Sequence, residues 1–198
     1  MLDTNADEAA HRIGPNAIIQ VAEALRALQG EASARRVFGA AGLSGLLDRP
    51  PERMTDERLV AVLHRTLHAL LPREDAADVA AEAGLRTADY LLAHRIPRPV
   101  QWLLRALPAP LAARMLLRAI SRNAWTFAGS GHVFVTPGTP SVIEIEDNPV
   151  ATGPCHYHIA VFERLFRTLV HPRAEVRETL CCANGAAACR FAMSWSRR

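Results

Sequence analysis

Lysine is absent from this chain, and all 23 of its basic side chains are arginine. The 20 acidic residues leave a formal net charge of only +3, and no basic block with interleaved aromatic residues occurs. Proteins that bind nucleic acid usually carry such a block, so a nucleic-acid partner is not expected. The arginine bias, together with abundant alanine, instead indicates a GC-rich genome.

Long apolar runs are also lacking. No stretch approaches the roughly 18 apolar residues that a membrane span needs, and the polar, acidic start MLDTNADEAAHRIG does not have the pattern of a signal peptide. These absences predict a cytoplasmic protein without a membrane span. Because thiols stay reduced in the cytoplasm, clustered cysteines there indicate metal ligation more than disulfides.

Cysteine is missing from the first 154 residues, and all four cysteines fall in the last 44. Cys155, Cys181 and Cys189 follow the spacing C-x25-C-x7-C, with Glu178 three residues before the middle cysteine. Three thiolates and one carboxylate are a suitable tetrahedral set for zinc, and a closed set of four protein ligands makes such a site structural. The alternative is that these cysteines are small buried hydrophobes. Since Cys181 and Cys182 are adjacent, their side chains would leave a strand on opposite faces, and only one of them can join the cluster.

Apolar periodicity and breaker residues divide the chain into a helical part and a sheet part. Helices are expected at 15–29, 31–41, 55–71, 74–94 and 156–170, and as two short helices in the proline-punctuated segment 97–122. Strands are expected at 124–127, 132–136, 142–146, 175–182 and 189–195. Thr55 is the expected N-cap of its helix, and Gly30 is expected to end the first helix.

This order of elements predicts an α+β fold in which N-terminal helices pack on a small antiparallel sheet. We expect a flexible leader at 1–14, a helical part at 15–122 and a sheet and zinc part at 123–198, all within one compact domain.

The C-terminal segments GPCHY (153–157), ETLCCANG (178–185) and CRF (189–191), with the helix between them, resemble the 4-vinyl-reductase domain family. The resemblance covers about residues 100–198. It implies the ligand-binding fold of heme-based nitric-oxide sensors and Golgi-transport subunits, in which helices surround a small antiparallel sheet and an apolar pocket. It also implies a zinc site made by Cys155, Glu178, Cys181 and Cys189, and gives Cys182 no ligand role.

Within the family, the short chain resembles the bacteriochlorophyll-biosynthesis members more than the phenol sensors, which add an ATPase and a DNA-binding domain. The resemblance implies a tetrapyrrole-binding carrier that presents a Mg-porphyrin or divinyl (proto)chlorophyllide to a pathway enzyme such as the Mg-protoporphyrin methyltransferase. A homodimer is expected, in the cytoplasm or peripheral to the photosynthetic membrane.

Two other functions stay open. The family name implies an 8-vinyl (4-vinyl) reductase, but reduction needs hydride from a nicotinamide, a flavin or iron–sulfur clusters. No G-x-G-x-x-G follows a predicted strand, which favours the carrier over a self-sufficient reductase. The third possibility is a scaffold or a small module that binds an aromatic molecule or a lipid.

A tetrapyrrole is large, flat and apolar, and its host needs an apolar slot and often an axial ligand for Mg. The candidate slot residues are Trp102, Leu107, Met115, Trp125, Phe127, His132 and Phe134. His132 is the candidate for axial ligation or a polar contact, whereas the apolar members of the set could simply belong to the core. His64 and His68 lie four residues apart on one helix face and either meet a ligand or are half-exposed. His156 and His158 flank Cys155 and are candidates for supporting contacts at the metal site.

Overall fold

The computed structural model describes residues 11–195 of the chain. The helices in this range are α1 (Asn16–Ala40), α2 (Ser44–Asp48), α3 (Glu57–Leu70), α4 (Arg73–His94), α5 (Arg98–Ala106), α6 (Ala109–Arg122), α7 (Trp125–Ala128) and α8 (His156–Leu169). The strands are β1 (Arg12–Ile13), β2 (Thr55–Asp56), β3 (His132–Thr136), β4 (Ser141–Glu146), β5 (Glu175–Leu180) and β6 (Ala188–Ser194). Within the same range, no helix combines the length and the apolarity that crossing a membrane requires.

The first helix is interrupted where the sequence predicts it. Gly30 has φ +80° and ψ 166°, so α1 contains a kink between its two halves. Glycine adopts this backbone conformation without the steric penalty of a side chain, and the predicted break is confirmed. On either side of the kink, apolar residues at helical spacing, such as Ile18, Val21 and Val37, are fully buried. They form part of the common core with α3 and α4.

The N-terminal boundary of α3 differs from the prediction. Thr55 belongs to β2, whose two residues pair with β1, and the N-cap is Asp56, whose carboxylate accepts from Arg58 N–H at 2.8 Å. Both residue types cap helices well, and the β1–β2 pairing decides between them. Of the expected leader 1–14, residues 1–10 lie outside the described residues, and Arg12 and Ile13 form β1.

The segment 124–127, predicted to be a strand, forms the short helix α7 instead. The hydroxyl of Thr126 donates to the carbonyl oxygen of Asn123 at 2.7 Å, which favours the helical turn. The carbonyl of Thr126 also accepts from Gly14 N–H at 2.8 Å, so the turn is docked beside β1. Periodicity does not distinguish helix from strand in so short an apolar run, and the tertiary contact decides.

The main sheet is antiparallel with the strand order β3-β4-β6-β5, and α8 connects β4 to β5. Its inner face carries Ile143, Ile145 and Phe191, all fully buried, as the alternation in β4 predicts. Phe162 of α8 packs on this face with its ring centroid 5.3 Å from that of Phe191. Helix α4 covers the other side of α8, so α8 is central to the domain.

Helices α4 and α8 approach closely at Gly84. A Cβ atom added at this position would overlap the carbonyl oxygen of Tyr157 and lie 2.9 Å from the Cβ of Ala160. One turn further along α4, the hydroxyls of Thr87 and Tyr157 share a buried hydrogen bond of 2.9 Å. These contacts fix the first turn of α8, which carries part of the site described next.

Candidate metal cluster and adjoining cavity

A β-bulge brings two side chains of the candidate metal site onto one face. In β5, Glu178 pairs with Phe191 and Leu180 pairs with Arg190, so Thr179 is an extra residue in the ladder. Side chains three residues apart in a regular strand point to opposite faces, but one inserted residue restores the same side. Glu178 and Cys181 therefore both face Cys189 of β6 and Cys155 at the N-terminus of α8.

The four side chains form a compact cluster. The ligand atoms of Cys155, Glu178, Cys181 and Cys189 all lie within 4.8 Å of one another. The sulfur of Cys155 is 3.9 Å from that of Cys181 and 3.6 Å from that of Cys189. With zinc–sulfur bonds of about 2.3 Å, two sulfurs of a tetrahedral site are about 3.8 Å apart. The cluster could hold a metal ion of this size with little rearrangement.

Charge in the cluster concentrates on Cys189. The Cys155 thiol donates to its sulfur and lowers the pKa of Cys189 to about 5, against the opposing effect of burial. The backbone N–H of Cys182 also donates to the Cys189 sulfur, at 3.4 Å. The same Cys189 contact and burial raise the pKa of Cys155, and burial raises the pKa of Cys181 to about 11. A sulfur that accepts hydrogen bonds from two directions is a favourable thiolate ligand.

The Glu178 carboxylate is only partly satisfied by the protein. Its Oε2 accepts from the backbone N–H of Cys155 at 3.3 Å, whereas its Oε1 is buried and has no hydrogen-bond partner in the described structure. An unpaired buried carboxylate oxygen is unfavourable, and a cation among the three sulfurs would satisfy it. The donor chemistry therefore fits zinc.

Cys182 does not join the cluster. It is half-buried, follows β5 in a 3-10 turn (Cys182–Asn184), and its sulfur lies 4.0 Å from the carbonyl oxygen of Ile145. The side chain of its neighbour Cys181 instead approaches the carbonyl oxygen of Gly153 at 3.6 Å.

A small cavity adjoins the cluster. Its volume is about 20 Å³, enough for roughly one water molecule. The lining comes from β1, α1, α3, α4, α7, the segment 150–154 and the start of α8: Ile13, Ala17, Val60, His64, His68, Ala80, Phe127, Val150, Thr152, Gly153, Pro154, Cys155, Tyr157 and His158. Cys155 therefore belongs both to the metal cluster and to the cavity wall.

Two buried histidines of this lining have an unpartnered ring nitrogen. The Nε2 atoms of His64 and His158 are buried and make no hydrogen bond in the described structure. Burial is the main reason that the pKa of each falls to about 4, so both imidazoles are neutral at neutral pH. His158 is stacked on Phe162 and packed near Phe191, whereas the only described ring contact of His64 is an edge contact with Tyr157 at 5.5 Å.

Of the seven candidate slot residues, only Phe127 lines this cavity. Trp102, Met115, Trp125, His132 and Phe134 are exposed, and Leu107 is half-buried beside the core. The expected set is therefore not assembled into one pocket. His64 and His68 do share a face toward the cavity, as their four-residue spacing indicates. The remaining lining residues carry no common sequence signal, because they come from segments far apart in the chain.

A family model for the 4-vinyl-reductase domain matches residues 141–194, which span β4, α8, β5 and β6. The chain is 50% identical over 194 residues to a protein of Cereibacter sphaeroides named bacteriochlorophyll synthase 23 kDa chain, covering 95% of this chain and 93% of the relative. It is 40% identical over 187 residues to the protein of the same name from Rhodobacter capsulatus, covering 92% of this chain and 86% of the relative. These matches confirm the family resemblance.

Solved structures of H-NOX proteins share the fold. One, from work on heme distortion in the H-NOX family, superposes with a TM-score of 0.60 at 12% identity over 93% of this chain and 96% of its own. Another, from S. oneidensis in the Fe(II)NO ligation state, superposes with a TM-score of 0.54 at 11% identity over 93% of this chain and 100% of its own. They confirm the predicted α+β class and sensor-type fold. The protein belongs to the same family as the bacteriochlorophyll synthase 23 kDa chain, and its C-terminal region is a 4-vinyl-reductase domain.

Proposed function

We propose that the protein is an accessory protein of bacteriochlorophyll biosynthesis that binds a Mg-porphyrin or a divinyl (proto)chlorophyllide and presents it to a pathway enzyme. The name of its two relatives supports the pathway. The heme named for its structural neighbours supports a tetrapyrrole as the ligand class. The Mg-protoporphyrin methyltransferase as the receiving enzyme and a homodimeric assembly stay predictions.

The observation that carries the proposal is the unpartnered imidazole of His64 at the cavity. The ring is neutral, buried, and held by a hydrogen bond with the backbone of Ala17, while its Nε2 has no partner in the described structure. Metal-binding histidines typically have this arrangement, in which one ring nitrogen is fixed by the protein and the other is available. His64 is therefore the proposed axial ligand of the central Mg. It replaces His132, which is exposed at the start of β3.

His158 is the less suitable of the two buried histidines. Its ring lies between the rings of Phe127, Phe162 and Phe191, with centroid distances of 6.4, 6.0 and 5.9 Å. This packing restrains it in the aromatic cluster behind the cavity. We assign it a positioning role for the first turn of α8.

The cavity must widen to admit a macrocycle, since about 20 Å³ holds only a water molecule. The segment 147–154 between β4 and α8 is the wall best suited to move. It contains neither helix nor strand, and Val150, Thr152, Gly153 and Pro154 of this segment line the cavity. Outward movement of this segment would expose His64 and His68 to a ligand that enters from its side.

The proposed role of zinc in Cys155, Glu178, Cys181 and Cys189 is structural. The metal would tie the start of α8 to the β5–β6 pair and so fix one end of the wall formed by 147–154. All four tetrahedral positions are taken by protein atoms, which leaves none for water or substrate.

Titration with Mg-protoporphyrin tests the proposal. We expect a shifted Soret band and quenched tryptophan fluorescence with wild-type protein. His64→Gln keeps a polar side chain of similar length but removes the imidazole, and it should weaken binding by about tenfold or more, the equivalent of about 1.4 kcal/mol. His132→Ala is the matched control, because it removes an exposed imidazole outside the cavity, and it should bind like the wild type.

Equal binding by wild type and His64→Gln, with both folded by circular dichroism, would overturn the assignment of His64. Absence of any spectral change with the wild type would overturn the tetrapyrrole proposal itself. The reductase alternative has its own assay, in which purified protein receives divinyl substrate with NADPH or reduced ferredoxin. Turnover to the monovinyl product without another protein would replace the carrier by an enzyme.

A further inference from the structure

The segment between α4 and β4 is strongly asymmetric in charge. From residue 90 to residue 143 the chain has no aspartate or glutamate, and it has six arginines: Arg95, Arg98, Arg105, Arg114, Arg118 and Arg122. Since the whole chain has a net charge of +3 and this segment contributes +6, the remainder carries −3. The ion pairs found among residues 11–195 involve none of these six arginines.

Helices α5 and α6, which lie in this segment, expose large apolar side chains. Trp102 is 77% exposed, the largest exposed fraction among the large hydrophobic residues described, and Val100, Leu103, Leu111 and Met115 are exposed as well. The inner faces of both helices are already occupied, because Leu104 of α5 and Leu116, Leu117 and Ile120 of α6 are buried in the core. The apolar groups on the outside are therefore additional to those that the fold needs.

The outer face of α6 combines both features in one stripe. Leu111, Met115, Arg118 and Arg122 follow one another at steps of four, three and four residues, so they share a helix face, and Arg114 adjoins it. All five are exposed. Apolar side chains at the start of the stripe and arginines along the rest match an interface that is apolar at its base and anionic around it.

We infer that the α5–α6 surface, made by the exposed residues of Arg98–Ala106 and Ala109–Arg122, binds the surface of an anionic lipid bilayer. Helices that lie in the membrane interface insert tryptophan and aliphatic side chains below the headgroups, and their arginines bind the phosphates. Each basic residue near an anionic leaflet strengthens partitioning by about fivefold. A surface of several arginines without a single carboxylate suits an anionic bilayer, whose charge is of one sign throughout.

Sedimentation with lipid vesicles tests this inference, and it needs neither tetrapyrrole nor metal analysis. The full chain should sediment with vesicles of phosphatidylcholine and phosphatidylglycerol. It should sediment much less with vesicles of phosphatidylcholine alone, and added salt should weaken the binding because it screens the phosphate contacts. The double variant Arg114→Glu/Arg118→Glu should lose at least about tenfold in partitioning. Trp102→Ser should lose several-fold at the same net charge. All three substituted side chains are exposed, so the fold is preserved.

The matched control is the double variant Arg36→Glu/Arg65→Glu, which makes the same change in net charge at exposed positions of α1 and α3. It should keep most of the wild-type binding. Binding lost equally in both double variants would overturn the inference, because only net charge would then matter. Failure of the wild type to sediment with anionic vesicles would also overturn it. So would a concentration-dependent dimer that Trp102→Ser abolishes while vesicle binding is unaffected, since the surface would then serve a second copy of the chain.

Discussion

Replacing Cys189 by serine is the most direct test of the metal cluster. Cys189 is fully buried, and its sulfur accepts from the Cys155 thiol at 3.6 Å and from the Cys182 N–H at 3.4 Å. The serine oxygen is a harder, weakly acidic donor and cannot replace a thiolate in a sulfur-rich zinc site. We expect the variant to lose its zinc and part of its folding free energy.

The magnitude follows from the number of ligands. Structural zinc contributes about 10–16 kcal/mol of apparent binding free energy in small folded sites. The loss of one ligand in four therefore removes about 3 kcal/mol. For a domain of this size, about 1 kcal/mol corresponds to a change in Tm of about 2–4 °C, so Cys189→Ser should melt about 6–12 °C below the wild type.

The assay is thermal unfolding combined with zinc analysis, with and without chelator. Cys182→Ser is the control, because Cys182 is half-buried and outside the cluster, and it should keep its zinc and melt within a few degrees of the wild type. Glu178→Gln removes the charge of the fourth ligand with little change in shape, and it should give an intermediate loss. After chelation, the difference between wild type and Cys189→Ser should nearly vanish, since both then lack the metal.

Three results would refute this reasoning. Wild-type protein purified without chelator could contain no zinc. Cys182→Ser could lower Tm as much as Cys189→Ser does. Finally, the difference between wild type and Cys189→Ser could persist unchanged in chelator, which would make Cys189 a packing residue only.

Two further predictions concern the cavity and the helix contact behind it. Because burial lowers the pKa of His64 from 6.5 to about 4, the unfolded chain binds its proton first as pH falls. This residue should thus remove about 3 kcal/mol of stability between pH 6.5 and pH 4, and His64→Gln should show a shallower loss in urea unfolding over that range; parallel curves would contradict the prediction. Gly84→Ala should lower the free energy of unfolding by about 1–3 kcal/mol because its Cβ would overlap the Tyr157 carbonyl. Gly45→Ala, a helical site with nothing within 4 Å of the added Cβ, should be neutral or slightly stabilising, and equal effects of the two substitutions would contradict the close approach of α4 and α8.

The pattern of helices and strands could largely be predicted from local sequence, because long amphipathic segments have one strong periodicity. The kink at Gly30 and the buried face of β4 at Ile143 and Ile145 agree with expectation. The short elements did not follow local preference. The segment 124–127 became a helical turn because Gly14 binds its backbone, and the cap of α3 moved from Thr55 to Asp56 because Thr55 pairs with Ile13 in the small sheet.

The composition of the metal cluster could be read from residue type and spacing, because few other roles use three cysteines and a glutamate in this arrangement. What spacing alone leaves open is how Glu178 and Cys181, three residues apart, reach the same side. The extra residue Thr179 in the β5–β6 ladder resolves this. A bulge depends on which residues of the partner strand pair, so it belongs to the tertiary structure.

The cavity was beyond local sequence altogether. Its lining comes from seven parts of the chain, and a histidine such as His64 becomes a neutral, unpartnered ligand candidate only when the rest of the fold removes water from around it. The aromatic residues Trp102, Trp125 and Phe134, chosen for a slot because of their chemistry, lie on the surface. Residue types and periodicity by themselves determined the α+β class, the helices and the ligand set of the cluster. The close approach of α4 and α8, the bulge and the burial of His64 were decided only in the tertiary structure, because burial and strand pairing arise between segments that are distant in sequence.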